Sequence, residues 1–155
     1  MASVLIVFEG IDGAGKTTQA RHLASALARP GREILATKEP TDGPAGRRLR
    51  ASAAGSRPVC AEELALFVED RRQHVAEVLT PALDRGAVVI VDRYYFSTAA
   101  YQGARGLDPA AILALHATFA PRPDRLFLLD VEPEVGVARV RRRILAEVMP
   151  LLGGT

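Results

Sequence analysis

Three continuous apolar runs divide the chain, and each has the length of a single strand. They are VLIVF at residues 4–8, AVVIVD at 87–92 and RLFLLDV at 125–131. Their apolar residues follow one another without alternation, which is typical of strands covered on both faces of a parallel sheet. A weaker candidate, EILATKE at residues 33–39, follows a proline–glycine break. The pattern therefore predicts a parallel sheet of about four to five strands.

Helical patterns separate these runs. Apolar spacing predicts helices over residues 17–29, 61–83 and 109–119, and a further helix from residue 133 onward. Alternating β and α segments predict an α/β fold, a doubly wound parallel sheet flanked by helices and joined by right-handed crossovers. Glycine, proline and serine are frequent over residues 41–58. This stretch predicts a loop and short helix over the carboxyl end of the sheet, where such folds bind ligands.

Composition narrows the class of protein. A chain of 155 residues with 48% hydrophobic content predicts a single domain, residues 1–155, around one core. Its 20 basic and 18 acidic residues nearly balance, which argues against nucleic acid or a membrane as the main partner. Cys60 is the only cysteine, so neither an internal disulfide nor a zinc-site spacing exists. With no basic leader or long apolar segment at the start, we expect a cytoplasmic protein.

A glycine-rich loop follows the first apolar run. The residues GIDGAGKT at 10–17 match the pattern G-x-x-x-x-G-K-[ST] between a predicted strand and a predicted helix. Glycines let backbone N–H groups point at a phosphate, and the helix N-terminus adds favourable potential. The predicted ATP- and phosphate-binding residues are Gly10, Ile11, Asp12, Gly13, Ala14, Gly15, Lys16, Thr17 and Thr18.

Three polar groups around this loop predict nucleotide chemistry. The ammonium of Lys16 would bridge the β- and γ-phosphates, and the hydroxyl of Thr17 would ligate Mg²⁺. Asp92 ends the second apolar run, so its carboxylate would hold the water shell of the metal. The loop alone leaves the reaction open, because kinases, GTPases and ATP-driven motors share it.

Three further segments contain the candidate residues for binding the molecule that accepts the phosphoryl group, here called the acceptor. They are KEPTDGPAGRRLR at residues 38–50, LFVEDRRQH at 66–74 and VDRYYFSTAAYQG at 91–103. Together with FEGIDGAGKTT, they resemble the motifs of the bacterial thymidylate kinases, and the resemblance continues to about Arg143. It implies transfer of the γ-phosphoryl group of ATP to dTMP, which gives dTDP, with Mg²⁺ as cofactor. It also implies a homodimer.

The resemblance implies a role for each matching acceptor residue. Phe67 would stack on thymine, Arg71 would donate to a thymine carbonyl, and Thr98 would bond to the ring N–H edge. Guanidinium groups suit phosphate oxygens. The remaining substrate-binding residues would be Arg50 and Arg93 at the dTMP phosphate, Asp12 at the sugar 3′-hydroxyl, Tyr101 against the deoxyribose, and Glu39, Ser97 and Gln102 in support.

Simpler interpretations exist for single residues. Phe67 could belong to the core, Arg71 could be a surface charge, and Ser97 with Thr98 could cap a helix. The histidines and the aromatic residues of DRYYF are assigned only to packing or to the surface: His22, His74, His116, Tyr94, Tyr95 and Phe96. The joint occurrence of motif, order and spacing favours the acceptor site.

Phosphoryl transfer requires alignment and charge neutralisation rather than a nucleophilic side chain. Lys16, Asp92 and Arg93 are the predicted catalytic residues near the loop. The loop position that could carry a further arginine holds Ala14, so the resemblance implies an arginine from a lid. The lid candidates are Arg139, Arg141 and Arg143 in VEPEVGVARVRRR.

The sequence departs from the family pattern after Arg143. It passes directly from Arg143 to Ile144 and the segment ILAEVMPLLGGT, which resembles the closing helix of the family. The rest of the lid, a fifth strand and the adenine-contacting loop have no counterpart. Either the protein carries a further segment at this junction, or it is a shortened variant with one helix over residues 134–149. A shortened variant should bind ATP weakly and turn over slowly.

Other functions remain open at this point. A deoxynucleoside kinase shares the loop, although two phosphate-holding arginines, Arg50 and Arg93, argue against it. A P-loop ATPase or GTPase switch would hydrolyse nucleotide without an acceptor. A non-catalytic nucleotide-binding protein would bind without turnover.

Overall fold

The computed structural model describes residues 3–130 and 137–152, without the side chains of residues 137–139. Four strands form one sheet in the order β2-β3-β1-β4, and β1 runs parallel to both β3 and β4. The strands are β1 (Val4–Glu9), β2 (Ile34–Lys38), β3 (Val88–Asp92) and β4 (Arg125–Leu128). The predicted parallel α/β sheet is therefore confirmed.

Seven α-helices are described. They are α1 (Lys16–Leu27), α2 (Pro44–Ala53), α3 (Cys60–His74), α4 (Thr80–Asp84), α5 (Tyr95–Ala104), α6 (Pro109–Ala117) and α7 (Val137–Val148). A short 3₁₀ helix, Met149–Leu152, follows α7. None of the described helices combines the length and the apolar character that a membrane span requires.

The prediction of one continuous α-helix over residues 61–83 is wrong in the middle of this range. A π-helical turn, Val75–Leu79, separates α3 from α4, and the N–H of Thr80 bonds to the carbonyl of Val75. Pro81 follows directly and has no N–H to donate to the carbonyl four residues earlier. The helix therefore widens locally into a π turn before it continues.

The described chain divides into two compact units. The first, here called the sheet unit, comprises Met1–Thr37, Ala82–Asp92 and Pro123–Thr155. The second, here called the helical unit, comprises Lys38–Pro81 and Arg93–Arg122.

The core of the sheet unit lies between the sheet and the helices α1 and α7. Every residue of β1 is buried, and Ile144 and Val148 lie one turn apart on the buried face of α7. Phe127 of β4 stacks on Phe8 of β1 with ring centroids 5.3 Å apart. Alternate side chains of a strand point to opposite faces, and Leu128 on the other face of β4 is 70% exposed. The expectation that β4 is covered on both faces is therefore wrong for the described chain.

The helical unit packs through close backbone approaches. Ala45, Leu49 and Leu66 form a small core between α2 and α3, and Phe67 packs against it. Gly46 lies so close to the carbonyl oxygen of Thr41 that a Cβ would stand 2.1 Å from it. A side chain at this position would push α2 away from its neighbouring loop.

Candidate active site

The glycine-rich loop of the sheet unit has the backbone that a phosphate cradle requires. Gly10, Gly13 and Gly15 have φ values of 144°, 81° and 90°, a region that favours glycine. A Cβ on Gly10 would lie 2.6 Å from the carbonyl oxygen of Leu129. These residues connect the carboxyl end of β1 to the N-terminus of α1, where backbone N–H groups and the helix dipole favour an anion.

Lys16 is the first residue of α1, and only 6% of it is exposed. Its Nζ donates a hydrogen bond to the carbonyl oxygen of Ile11 at 2.7 Å. The side chain therefore turns back along the loop and places its positive charge beside the cradle.

Thr17 and Asp92 meet next to this loop. The hydroxyl of Thr17 donates to Oδ2 of Asp92 at 2.5 Å, and Asp92 lies opposite Phe8 in the register of β1 and β3. The sheet thus brings the end of β3 beside the start of α1. A hydroxyl and a carboxylate oxygen are ligand types that Mg²⁺ prefers.

Arg71 is the centre of a buried polar network in the helical unit. Only 2% of it is exposed, and its Nε and Nη2 lie 2.7 and 2.6 Å from Oε2 of Glu39. Both Nη atoms lie 3.2 Å from the hydroxyl of Thr98, and Nη1 lies 2.8 Å from Nε2 of His116. The interpretation of Arg71 as a surface charge is wrong.

Glu39 connects Arg71 and His74. Its Oε2 accepts from Arg71, while its Oε1 lies 2.8 Å from Nδ1 of His74. The ring of Tyr94 lies below the Arg71 guanidinium at 5.5 Å. Burial raises the pKa of Tyr94, and the negative charge of Glu39 adds to this rise. The tyrosine therefore stays neutral in the network.

Arg93 begins the second segment of the helical unit and has an unusual backbone. Its φ of 70° is the only positive value of a non-glycine residue in the described chain. Its Nη1 donates to the hydroxyl of Ser97 at 3.1 Å, and its guanidinium lies 5.7 Å from the ring centre of Tyr101. Such backbone conformations cost free energy and concentrate at functional sites.

Gln102 lies in a separate cluster between α3 and α5. Its Nε2 donates to Glu63 at 2.7 Å, and its Oε1 accepts from the thiol of Cys60 at 2.8 Å. Arg57 and Arg105 also bond to Glu63. Burial raises the pKa of Glu63, but these hydrogen bonds and charges outweigh it and hold the pKa below the usual value.

Arg50 lies at the surface of α2. It pairs with Asp42 at 2.7 Å and donates to the carbonyl of Pro40 at 2.8 Å. The side chain of Arg50 is 39% exposed, so a ligand can reach it from solvent.

A comparison with family models spans both units. The model described as thymidylate kinase matches residues 8–149, which include the glycine-rich loop and every acceptor residue named above. The chain belongs to the thymidylate kinase family.

Individual relatives agree with the family match. A protein named thymidylate kinase from Xanthomonas campestris is 54% identical over 140 residues, which cover 90% of this chain and 61% of that protein. A thymidylate kinase from Xylella fastidiosa is also 54% identical over 140 residues, which cover 67% of that protein. The crystal structure of thymidylate kinase from Ehrlichia chaffeensis superimposes with a TM-score of 0.78 at 33% identity and covers 97% of this chain and 90% of that chain. The chain thus spans about three fifths of the length of the Xanthomonas relatives.

Membership of the thymidylate kinase family confirms the resemblance found in the motifs. The roles of single site residues stay predictions. Of the lid candidates, Arg141 and Arg143 are exposed on α7, while the side chain of Arg139 lies outside the described residues. Helix α7 continues through the junction between Arg143 and Ile144, and the predicted start of this helix at residue 134 also lies outside the described residues.

The structure bears on two of the simpler interpretations. Ser97 and Thr98 are not the N-cap of α5, because they lie inside the helix and the residue that precedes it is Tyr94. Phe67 packs on the small core of α2 and α3 yet remains partly exposed, so contact with the core and with a ligand are compatible.

Sequence reasoning missed His74 and His116. It assigned both only to packing or to the surface, whereas both are buried and bonded to members of the Arg71 network. His74 follows Arg71 by three positions, so the two share one face of α3. That spacing was the one available signal, and nothing comparable marks His116.

Proposed function

We propose that this protein phosphorylates dTMP to dTDP with ATP as phosphoryl donor and Mg²⁺ as cofactor. The observation that carries the proposal is that one family model covers both the glycine-rich loop and the Arg71 network. A loop of this kind serves many reactions, so the acceptor residues supply the discrimination.

The donor residues fit a nucleotide triphosphate and its metal. In the proposed complex, the loop N–H groups and Lys16 hold the phosphates, and Thr17 and Asp92 face the metal. No cluster of three or more His, Cys, Asp or Glu side chains that could bind a metal occurs among residues 3–130 and 137–152. This agrees with Mg²⁺ sites that use one or two protein oxygens together with substrate phosphates. Bound Mg²⁺ would neutralise charge on the phosphate oxygens.

The acceptor residues fit a pyrimidine nucleotide. We assign the partly exposed Phe67 to stacking on thymine, a contact of about 1–3 kcal/mol per base. Arg71 would donate to a thymine carbonyl. Its N–H groups already bond within the protein, but the two contacts to Thr98 are the longest, at 3.2 Å. These are the bonds that a thymine carbonyl would share, while Thr98 turns its hydroxyl to the ring edge.

The remaining assignments place charge and shape around the sugar and phosphate. Arg93 and Arg50 would hold the dTMP phosphate, and the ring of Tyr101 would lie where a ribose 2′-hydroxyl would otherwise fit. Asp12 would accept from the 3′-hydroxyl. With both phosphates held in line, positioning and electrostatic stabilisation supply the catalysis, and no covalent intermediate on the protein is needed.

A homodimer and a lid arginine from α7 belong to the same proposal. The dimer is expected from the resemblance, and sedimentation at micromolar concentration would detect it. Arg141 and Arg143 are the candidates whose exposure leaves them available to a nucleotide.

The proposal is tested by measuring ADP release in a coupled assay with dTMP, dUMP, thymidine or no acceptor. We expect release that depends on dTMP, weaker use of dUMP and none with thymidine. Lys16→Ala should abolish the dTMP-dependent rate and keep the circular dichroism spectrum. Equal rates with and without acceptor would contradict a kinase and indicate a hydrolytic switch. Preference for thymidine would indicate a deoxynucleoside kinase.

A further inference from the structure

His116 of α6 is fully buried and has a polar partner at each ring nitrogen. Its Nδ1 lies 2.8 Å from the carbonyl oxygen of Ile112, and its Nε2 lies 2.8 Å from Nη1 of Arg71. A carbonyl only accepts and a guanidinium only donates. The ring must therefore carry its proton on Nδ1 and accept at Nε2, which defines one neutral tautomer.

The contact completes the hydrogen bonding of Arg71. Glu39 accepts from Nε and Nη2, and the hydroxyl of Thr98 accepts from both Nη atoms. Nη1 has two hydrogens, and His116 takes the one that points away from Thr98. Glu39 and His116 thus bind opposite ends of the guanidinium and fix the plane of the group.

The surroundings favour the neutral ring. It stacks on Tyr95 with centroids 5.8 Å apart and packs against Phe119, over which the guanidinium of Arg72 lies at 4.1 Å. Burial lowers the pKa of His116, and the charges of Arg71 and Arg72 lower it further against the opposing effects of the Ile112 carbonyl and Glu39. An imidazolium would lose its acceptor and place a second cation beside Arg71.

We propose that His116 is a positioning residue for the nucleobase site, because its Nε2 holds Arg71 in the orientation that presents the guanidinium edge at Thr98 to a pyrimidine carbonyl. This inference rests on the proposed function for the identity of the ligand, dTMP. His116 itself does not contact the base. It acts through Arg71, as Glu39 does from the other end.

The test compares two substitutions at one position by calorimetric titration with dTMP at pH 7.5. His116→Gln keeps an acceptor at a similar reach and should bind dTMP within about twofold of the unchanged protein. His116→Leu removes the acceptor for a charged donor and should weaken dTMP binding by about tenfold to a hundredfold. His22→Leu makes the same change on α1 in the sheet unit and should leave dTMP binding unchanged.

A purely structural role predicts a different pattern. In that case both His116→Leu and His116→Gln would lower the melting temperature and the affinity for dTMP together, and glutamine would not restore either. Equal dTMP affinity of His116→Leu and the unchanged protein would also overturn the inference. If the unchanged protein fails to bind dTMP, the proposed function is wrong, and this result differs from a selective failure of the substitutions.

A second measurement tests the contact without any ligand. Nitrogen-15 NMR of the histidine side chains at pH 7 should show the His116 ring neutral and protonated at Nδ1, and Arg71→Met should shift its Nε2 resonance. His116→Leu should remove this signal, which assigns it. A charged ring or a proton on Nε2 would overturn the inference even if dTMP binds.

Discussion

At the scale of residues, Arg93 combines a strained backbone with a predicted catalytic side chain. Arg93→Gly should abolish dTMP-dependent ADP release and change the free energy of unfolding by less than about 1 kcal/mol. The left-handed backbone costs a non-glycine residue about 1–2 kcal/mol, so glycine relieves this cost in the folded protein. Glycine also gives the unfolded chain more freedom, which offsets most of the stability gained. Urea unfolding and the coupled assay measure the two effects.

Arg93→Ala is the matched control for this substitution. It removes the same guanidinium but keeps the unfavourable φ of 70°, so it should be inactive and less stable than Arg93→Gly. Retained turnover in either variant would contradict the catalytic assignment. If Arg93→Ala were more stable than Arg93→Gly, the backbone of residue 93 would not be strained.

Glu63 gives the protein a specific acid sensitivity. Its pKa in the folded protein lies below the usual value because, against the effect of burial, Arg57, Gln102 and Arg105 stabilise the carboxylate. The unfolded chain therefore binds a proton at higher pH than the folded chain. This contribution to stability is complete above about pH 4.5 and declines as the pH falls through the lower, folded value.

Glu63→Gln should flatten the decline of the urea midpoint below about pH 4.5, and it should lower the midpoint at pH 7. Glu62→Gln, on the exposed side of the same helical turn, is the control and should keep the original slope. An unchanged acid slope in Glu63→Gln would mean that other carboxylates, such as Glu33 beside Arg85, account for it.

The sequence predicted which residues form the glycine-rich loop but only half of the Arg71 network. Gly10 to Thr18 are neighbours in the chain, so their spacing alone defines the loop. Arg71, in contrast, meets Glu39, Thr98 and His116 across 32, 27 and 45 positions. No local pattern records such contacts, and the resemblance supplied Glu39 and Thr98 without their geometry.

At the scale of elements, the packing of α2 depends on the absence of a side chain at Gly46. Gly46→Ala should lower the free energy of unfolding by about 1–3 kcal/mol, because a Cβ would stand 2.1 Å from the Thr41 carbonyl oxygen and 2.7 Å from a carboxylate oxygen of Asp70. Chemical denaturation measures the loss.

Gly55→Ala is the matched control, because the nearest atom to its added Cβ is 3.8 Å away. That substitution should be neutral or slightly stabilising, since alanine restricts the unfolded chain. Similar losses at both positions would show that the close approach at Gly46 does not limit the packing of α2.

The elements themselves followed largely from the hydrophobic pattern. The three apolar runs and the weaker candidate at residues 33–39 all became strands, and β1 and β3 are the two that are buried as a continuous apolar sequence predicts. The pattern did not predict helix α5, Tyr95–Ala104, and it missed two further features. Pro81 altered the helix of residues 61–83 because it cannot donate a backbone hydrogen bond, and the exposure of Leu126 and Leu128 depends on which neighbours a strand has.

At the scale of the whole molecule, every predicted acceptor residue except Asp12 lies in the helical unit, whereas the glycine-rich loop and Asp92 lie in the sheet unit. Lys16, Thr17 and Asp92 belong to the sheet unit, whereas Arg71 and Arg93 belong to the helical unit. The bond from Asp92 to Arg93 is one of the points at which the chain passes between the units. Neither set alone defines a phosphotransferase, so only a reaction that uses both can establish the function.

The direct test is to incubate the protein with Mg²⁺, dTMP and ATP labelled in its γ-phosphoryl group, and to separate the products. The account predicts label in dTDP, none in dTDP without dTMP, and loss of transfer in Lys16→Ala. Label released as inorganic phosphate at the same rate with and without dTMP, or an absence of labelled dTDP, would contradict it.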